Sequence, residues 1–325
     1  MAGLVECVPN FSEGRRLDVV DAIAGRVDAT AGVHLLDRTS DADHNRSVLT
    51  FAGPAGSVTT AMEAALDEAL ARIDMNEHTG QHPRIGAVDV IPFVPLAGTT
   101  MDEAIELARG FGKRVAERFD LPVFLYAKAA LRADREVLAD IRRPQYEGLR
   151  ELIGEPDNAP DFGPARLHPT AGAVAVGARP FLIAYNINLE TRDLELAKGI
   201  ARRVRERSGG LPRVQALGLE LSELSCVQVS MNLLDFSVTP MWLVWETVTE
   251  LAREDGVEAR ESELIGLCPL AALVAVADHA NVPAELPVED RITRAAAWMK
   301  VRDFEPTMAL ELRLAAAEAA EAAAR

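Results

Sequence analysis

Two stretches far apart in the chain follow one plan, and that repetition limits the possible folds more than any other feature. Gly3 to Val27, GLVECVPNFSEGRRLDVVDAIAGRV, and Phe181 to Val204, FLIAYNINLETRDLELAKGIARRV, each run from an apolar segment with an Asn near its end, through a polar turn, into a helix closing in Arg-Val. Internal repeats are tested before a fold is chosen because a duplicated unit builds a core per copy. In the first copy Leu17, Val20, Ile23 and Val27 recur at helical intervals. Val33 to Asp37 and Arg46 to Phe51 then read as two strands around a turn rich in Asp, Ser and Asn. Ser57 opens a helix with the stripe Val58, Met62, Leu66 and Leu70, and GAVDVIPFVPL supplies a fourth strand. In the second copy RVQALGLEL and CVQVSMNLLDF form a strand pair, TPMWLVWETVTELAREDG a helix, and VEARESELIGLCP the closing strand.

Both copies therefore read βαββαβ. That order is the split βαβ, or ferredoxin-like, arrangement, an antiparallel sheet with both helices on one face. The expected fold class is α+β, with two ferredoxin-like (βαββαβ) subdomains related by internal duplication and spanning residues 1–178 and 179–325. A length of 325 residues suits two domains that each bury a core. Each subdomain is expected to leave one sheet face bare, to be buried against the other or against a second subunit. Between the copies the sequence predicts a helix over roughly Ala129 to Leu152, then a long Pro- and Gly-rich loop, GEPDNAPDFGPARLHPTAGAVAVGARP, of a kind that often carries function. The tail ALELRLAAAEAAEAAAR reads as an exposed terminal helix.

A formal charge of −16 disfavours broad attraction to nucleic acid or to an anionic membrane, so an anionic ligand needs a local basic pocket. Cys7, Cys226 and Cys268 are far apart and form no CxxC, which argues against a disulfide framework or a structural zinc site and fits a reducing cytoplasm. The N-terminus lacks a basic segment followed by an apolar one, and no apolar run approaches a bilayer-spanning length. A cytoplasmic location follows as an expectation.

The stretch EHTGQHPRIGAVDV, Glu77 to Val90, concentrates His78, His82 and Arg84 before an apolar run. Pro83 biases His82 toward extended backbone, at a strand entrance. Spacing of four would suit zinc on a helix, but Gly80 and Pro83 oppose a helix and HExxH is absent, so no metal is expected. A loop histidine bonded to backbone is the plain alternative. Its company argues for more. Asp41, Asp43, His44, Asn45 and Arg46 share a hairpin turn, His168 forms a second His-Pro pair, and Asn10, Asn186 and Asn188 end strands. These supply polar groups for one crevice, with Arg46, Arg84, Arg166 and Arg179 as nearby cations suited to carboxylates. No GxxxxGK[ST] is present, so phosphate-driven chemistry has no support.

The segments LVECVPNFSEG, NRSVLTFAG, HPRIGAVDVIPFVP, APDFGP, GARPFLIAYNINL and QVSMNLLDF, in register from about residue 3 to about residue 280, resemble the glutamate formiminotransferases, including the transferase domain of formiminotransferase-cyclodeaminase. The resemblance implies a homodimer and transfer of a formimino group from N-formimino-L-glutamate to N5 of tetrahydrofolate, a co-substrate. It makes the histidine of HPRxGAxD, here His82, catalytic. It also maps the folate-contacting loop onto Gly163 to Gly172, with Gly163, Pro164, His168, Thr170, Ala171 and Gly172; RLHPTAG stands where mammalian members have AFVPSWG. The cyclodeaminase reaction is expected to fall to a separate protein.

A single imidazole with an ordinary pKa near about 6.5 can take the N5 proton and return it to the departing glutamate nitrogen. Arg46 and Arg84 are candidates for the substrate carboxylates. Asp37 or Asp41 would orient His82 or stabilise a cationic formimino group, and Asn10 would complete the polar lining. Two other readings remain at this level: formyl transfer between N-formyl-glutamate and tetrahydrofolate, in 5-formyltetrahydrofolate metabolism, and a non-catalytic folate- or anion-binding module.

Overall fold

The computed structural model describes residues 3–222 and 224–324. The chain forms two compact units, Met1–Pro180 and Phe181–Arg325. The first runs β1 (Leu4–Cys7), β2 (Asn10–Phe11), α1 (Leu17–Asp28), β3 (His34–Asp41), β4 (Arg46–Pro54), α2 (Ala55–Arg72), β5 (Val88–Pro95), α3 (Met101–Phe119), β6 (Val123–Ala127), α4 (Leu138–Ile141), α5 (Gln145–Leu152) and β7 (Val174–Ala178). β1 and β2 are two parts of one strand interrupted at Pro9, which has no N–H to give the ladder. Together they pair antiparallel with β4 on one side and β5 on the other, and β3 flanks β4. This is the expected βαββαβ sheet. The second unit repeats it with β8 (Ile183–Leu189), α6 (Leu194–Val204), β9 (Val214–Leu221), β10 (Cys226–Leu233), α7 (Met241–Glu254) and β11 (Ala259–Ile265), in the antiparallel order β11-β8-β10-β9. It continues in α8 (Leu270–His279), α9 (Val288–Trp298) and α10 (Leu310–Ala324).

The first unit departs from the sequence reading after β5. The sheet grows by two parallel strands, β7 beside β5 and β6 beside β7. α3, closed by a reciprocal Thr100–Glu103 capping box, connects β5 to β6 and lies on the helix side. β7 is buried at every position, so its AVAVGA carries no alternating signal and reads as loop among prolines and glycines. The single helix expected over Ala129 to Leu152 is instead two short ones: Pro144 disfavours helical backbone at Arg143, and Gln145 sits at φ 55°.

The expected bare sheet face is also corrected in this unit. Val123 and Leu125 of β6 and Val174 and Val176 of β7 point into the core under α1, α2 and α3. Their alternates Phe124, Tyr126 and Ala175 meet Ile141, Leu149 and Ile153, so the α4–α5 segment covers the second face over β5, β7 and β6. The tail is likewise only partly exposed: Leu310 and Leu314 are buried, and Glu311 accepts the backbone N–H of Leu270 at 2.7 Å, tying α10 to the start of α8. Among the described residues no helix is long and apolar enough to cross a membrane.

Gly86 has no room for a side chain, because a Cβ there would run into the Ala173 carbonyl oxygen, whereas a Cβ at Gly25 in α1 meets open space. Gly86→Ala is expected to cost about 2 kcal/mol or more, and Gly25→Ala to add about 0.5–1 kcal/mol through helix propensity. Urea unfolding of the two variants checks this; equal midpoints would remove the argument that this approach is closed.

Candidate active site

Strand alternation sets the site on the face away from α1 and α2. Phe11, Leu49 and Phe51 point into the helix-side core, which turns Asn10 and Arg46 to the other side. The β3–β4 hairpin adds His44 and Asn45, and the loop entering β5 adds His78, His82 and Arg84, followed by Asp89. These side chains line one crevice of the first unit.

Asn45 holds the hairpin in place. At φ 48°, a conformation Asn tolerates, its Oδ1 accepts Gly14 N–H at 3.0 Å and its Nδ2 donates to Thr79 O at 3.0 Å. His78 Nε2 lies 3.1 Å from Asn45 O, and Arg84 Nε donates to His78 Nδ1 at 3.2 Å, so His78 is a neutral Nε2–H tautomer. Burial, with the Arg84 charge beside it, lowers its pKa. His78 is thus a buttress between hairpin and loop.

Arg84, offered by sequence for a substrate carboxylate, is buried and forks the Glu147 carboxylate of α5 at 2.9 and 2.7 Å. Arg46 has a neutral partner: its Nε donates to Asn10 Oδ1 at 2.7 Å and a terminal N–H converges on the same oxygen. Burial lowers the Arg46 pKa, and the nearby Arg142 charge lowers it further. Asp89 is buried, accepts Ile85 N–H at 2.8 Å through Oδ1 and takes Arg142 on Oδ2. Sequence reasoning singled out neither Asp89 nor Arg142. Asp89 had a signal, as the acid within HPRIGAVDV ahead of an apolar run; Arg142, distant in sequence from the motif, had none.

His82 is half-buried, and its pKa is pushed down to about 3, first by burial and then by the positive charges of Arg46, Arg142 and His44. Its ring meets that of His44 edge-on, centroids 6.4 Å apart. His44 Nδ1 lies 2.7 Å from Asp41 Oδ2, and Asp41 Oδ1 accepts the His44 N–H at 2.9 Å; these bonds hold the Asp41 carboxyl below its ordinary range. Asp41 therefore orients His44. Asp37 sits on β3 opposite Thr50, half-buried and outside the crevice lining.

The loop from Gly163 to Gly172 adjoins the His82 loop through backbone. Ala87 N–H donates to Ala171 O at 2.8 Å, Ala173 N–H to Ile85 O at 3.0 Å, and Met75 N–H to Thr170 O at 2.7 Å. His168 Nδ1 accepts the N–H groups of Ala171 and Thr170 at 3.0 and 3.3 Å, which makes its ring a cap for the turn. Gly163 and Gly172 hold φ values of 85° and 75°; a Cβ on Gly163 would lie 2.6 Å from Leu121 O, and one on Gly172 would lie 3.0 Å from the Gly86 Cα. Ala171 is buried, while Pro164 and Thr170 are partly exposed. Arg166 pairs with Asp120 at the surface, and Arg179 donates to Pro180 O at 3.1 Å. Asn186 and Asn188 lie on β8 of the second unit, donating to Glu263 and Glu261 at 3.3 and 3.0 Å. Among the described residues no group of three or more His, Cys, Asp or Glu is placed to hold a metal ion.

A histidine whose folded pKa lies near 3, below an unfolded value of about 6.5, contributes stability that is present above about pH 6.5 and lost as pH falls toward 3. His82→Gln is expected to flatten that part of the stability–pH curve. Arg46→Met removes a charge that opposes the imidazolium and should raise the His82 pKa, read by NMR of the ring protons; an unmoved pKa would refute the electrostatic account.

Residues 4–179 match the family described as formiminotransferase domain, N-terminal subdomain, and residues 184–301 match that described as formiminotransferase domain. Glutamate formimidoyltransferase of Thermoplasma acidophilum is 48% identical over 85% of this chain and 91% of its own length. The Streptococcus pyogenes glutamate formimidoyltransferase is 42% identical over 86% and 93%. Formimidoyltransferase-cyclodeaminase of Sus scrofa is 46% identical, and the match spans 84% of this chain but 52% of that one, about half of the bifunctional protein. On these matches over both units, the chain belongs to the formiminotransferase family.

Proposed function

We propose that this protein transfers the formimino group of N-formimino-L-glutamate to N5 of tetrahydrofolate, giving 5-formiminotetrahydrofolate and L-glutamate. One observation carries the reading: a neutral, half-buried His82 stands beside the guanidinium of Arg46, whose acceptor is an uncharged amide oxygen. A base and a carboxylate site thus adjoin in a chain whose relatives are named for this transfer.

N5 attacks the formimino carbon, forming a C–N bond, and its proton passes to His82. The tetrahedral intermediate then expels the glutamate nitrogen, which takes that proton from His82 as the old C–N bond breaks. No proton is gained or lost overall, and one imidazole serves both steps. At about 3 the imidazole is a weak base, held there first by burial; a substrate carboxylate set against Arg46 offsets only the second cause, the Arg46 charge. Binding of the donor thereby raises the pKa of the base in the direction that proton transfer requires. The loop from Gly163 to Gly172 is assigned to the folate, with Pro164 and Thr170 partly exposed on it and His168 holding its shape. A homodimer and a cytoplasmic setting form part of the same proposal.

The test is glutamate release from N-formimino-L-glutamate and tetrahydrofolate, with N-formyl-L-glutamate in parallel. His82→Ala should lower kcat by about 100-fold or more while folate still binds. A folded variant with near-normal turnover would overturn the role of His82, and a faster formyl donor would replace the formimino reading.

A further inference from the structure

The β3–β4 hairpin brings a second histidine to the crevice, and a carboxylate fixes its tautomer. His44 Nδ1 lies 2.7 Å from Asp41 Oδ2, and Asp41 Oδ1 accepts the His44 backbone N–H at 2.9 Å, so Asp41 holds the residue at two points. Asp41 has no guanidinium partner among the described residues, and its bonds to His44, backbone first and ring second, hold its carboxyl below the ordinary range. A carboxylate only accepts, so the neutral ring carries its proton on Nδ1 and keeps a lone pair on Nε2, at the far side of the ring. Nε2 makes no hydrogen bond among the described residues. The hairpin that bears it is itself tied down: Asp41 pairs with Arg46 across the strands, and Asn45 clamps the turn to Gly14 and Thr79.

His44 and His82 line the same crevice with ring centroids 6.4 Å apart, close enough for one small substrate group to meet both. A formimino group is an amidine, a strong base that is a cation at neutral pH, and its terminal nitrogen offers only N–H donors. A formyl group has an oxygen in that place, which only accepts. A fixed acceptor suits the first and sets lone pair against lone pair with the second. We propose that His44 Nε2 accepts a hydrogen bond from the terminal nitrogen of the formimino group, with Asp41 as the positioning residue behind it, and that this bond selects formimino over formyl donors. This rests on the transferase reading and deepens it. The terminal nitrogen keeps N–H groups in substrate, tetrahedral intermediate and product, so His44 moves no proton and the transfer stays with His82. Charge favours the same arrangement: Asp41 stands behind the ring that meets the amidinium, while Asp89 and Glu147 are committed to Arg142 and Arg84. Once protonated, His44 is a cation that bears on His82 and has no lone pair to offer.

The experiment measures kcat/KM for N-formimino-L-glutamate and N-formyl-L-glutamate, with tetrahydrofolate as acceptor, on the wild type, His44→Gln and Asp41→Asn. Gln can turn either end of its amide to the substrate, so the ratio of formimino to formyl turnover should fall about 10- to 100-fold, the scale of a charge-assisted hydrogen bond. In Asp41→Asn the amide oxygen keeps the His44 backbone N–H and sets its NH2 against Nδ1, which moves the ring proton to Nε2. The ratio should then fall at least as far, with a gain on the formyl donor. NMR of the His44 ring nitrogens reports the cause: Nδ1–H in the wild type, Nε2–H in Asp41→Asn. KM for tetrahydrofolate should stay put. A ratio within a few-fold of wild type in either variant overturns the assignment, as does an Nε2–H tautomer in the wild type, which needs no variant to fold. If the wild type turns over neither donor, or favours the formyl one, it is the transferase reading that fails. The same ring signals under formamidinium and formamide then decide His44 alone: a shift with formamidinium only supports the assignment, and any other result overturns it.

Discussion

Two backbone hydrogen bonds, Ala87 N–H to Ala171 O and Ala173 N–H to Ile85 O, clip the loop bearing His82 to the loop ending at Gly172. Gly86 and Gly172 face each other across this clip, and neither tolerates a side chain toward the other. Directly beyond it β5 and β7 run parallel, so the clip is also where the added strands join the βαββαβ sheet. The position of the base relative to the loop assigned to folate is thereby set by backbone contacts rather than by mobile side chains, the kind of support that keeps reacting groups in reach of one another.

Around that clip, charge is arranged against the character of the whole molecule. The chain carries −16, yet its crevice is lined by Arg46 and Arg84, with Arg142 behind Asp89. They divide the work: Arg84, forked by Glu147, ties α5 to the His82 loop, whereas Arg46 rests on the neutral Asn10, which leaves its charge without an acid in direct contact. Holding His82 neutral among these cations suits a site that opens its cycle by accepting a proton and finishes by returning it.

The duplicated sheet was readable because strand and helix leave period-two and period-3.6 patterns wherever one face is solvated, as in β9, α1 and α6. β7 and β6 are buried on both faces and erase that signal, and the α4–α5 segment is held by scattered apolar anchors such as Ile141, Leu149 and Ile153 and by the Glu147–Arg84 and Arg142–Asp89 pairs rather than by an apolar stripe. The site was legible to a similar depth. HPRIGAVD and DHNR stood out as dense polar clusters in turns, and His82, His44, Asn45 and Arg46 do share one crevice. Whether a given arginine is free or spent was not legible, since Arg84 and Arg46 look alike until Glu147 is seen to fork the first.

By itself, the sequence determined the two-fold βαββαβ plan, the His-Pro-Arg loop at the entrance of a strand, and the family, because each is written in residues close together in the chain. Only the tertiary structure decided that β6 and β7 extend the first sheet, that α4 and α5 cover its second face, and that Arg142 reaches Asp89. Those pairings join residues at no fixed separation, 53 positions for Asp89 and Arg142 and 85 for Val90 and Ala175, across loops whose closure cost depends only weakly on length, so spacing in sequence carries no record of them.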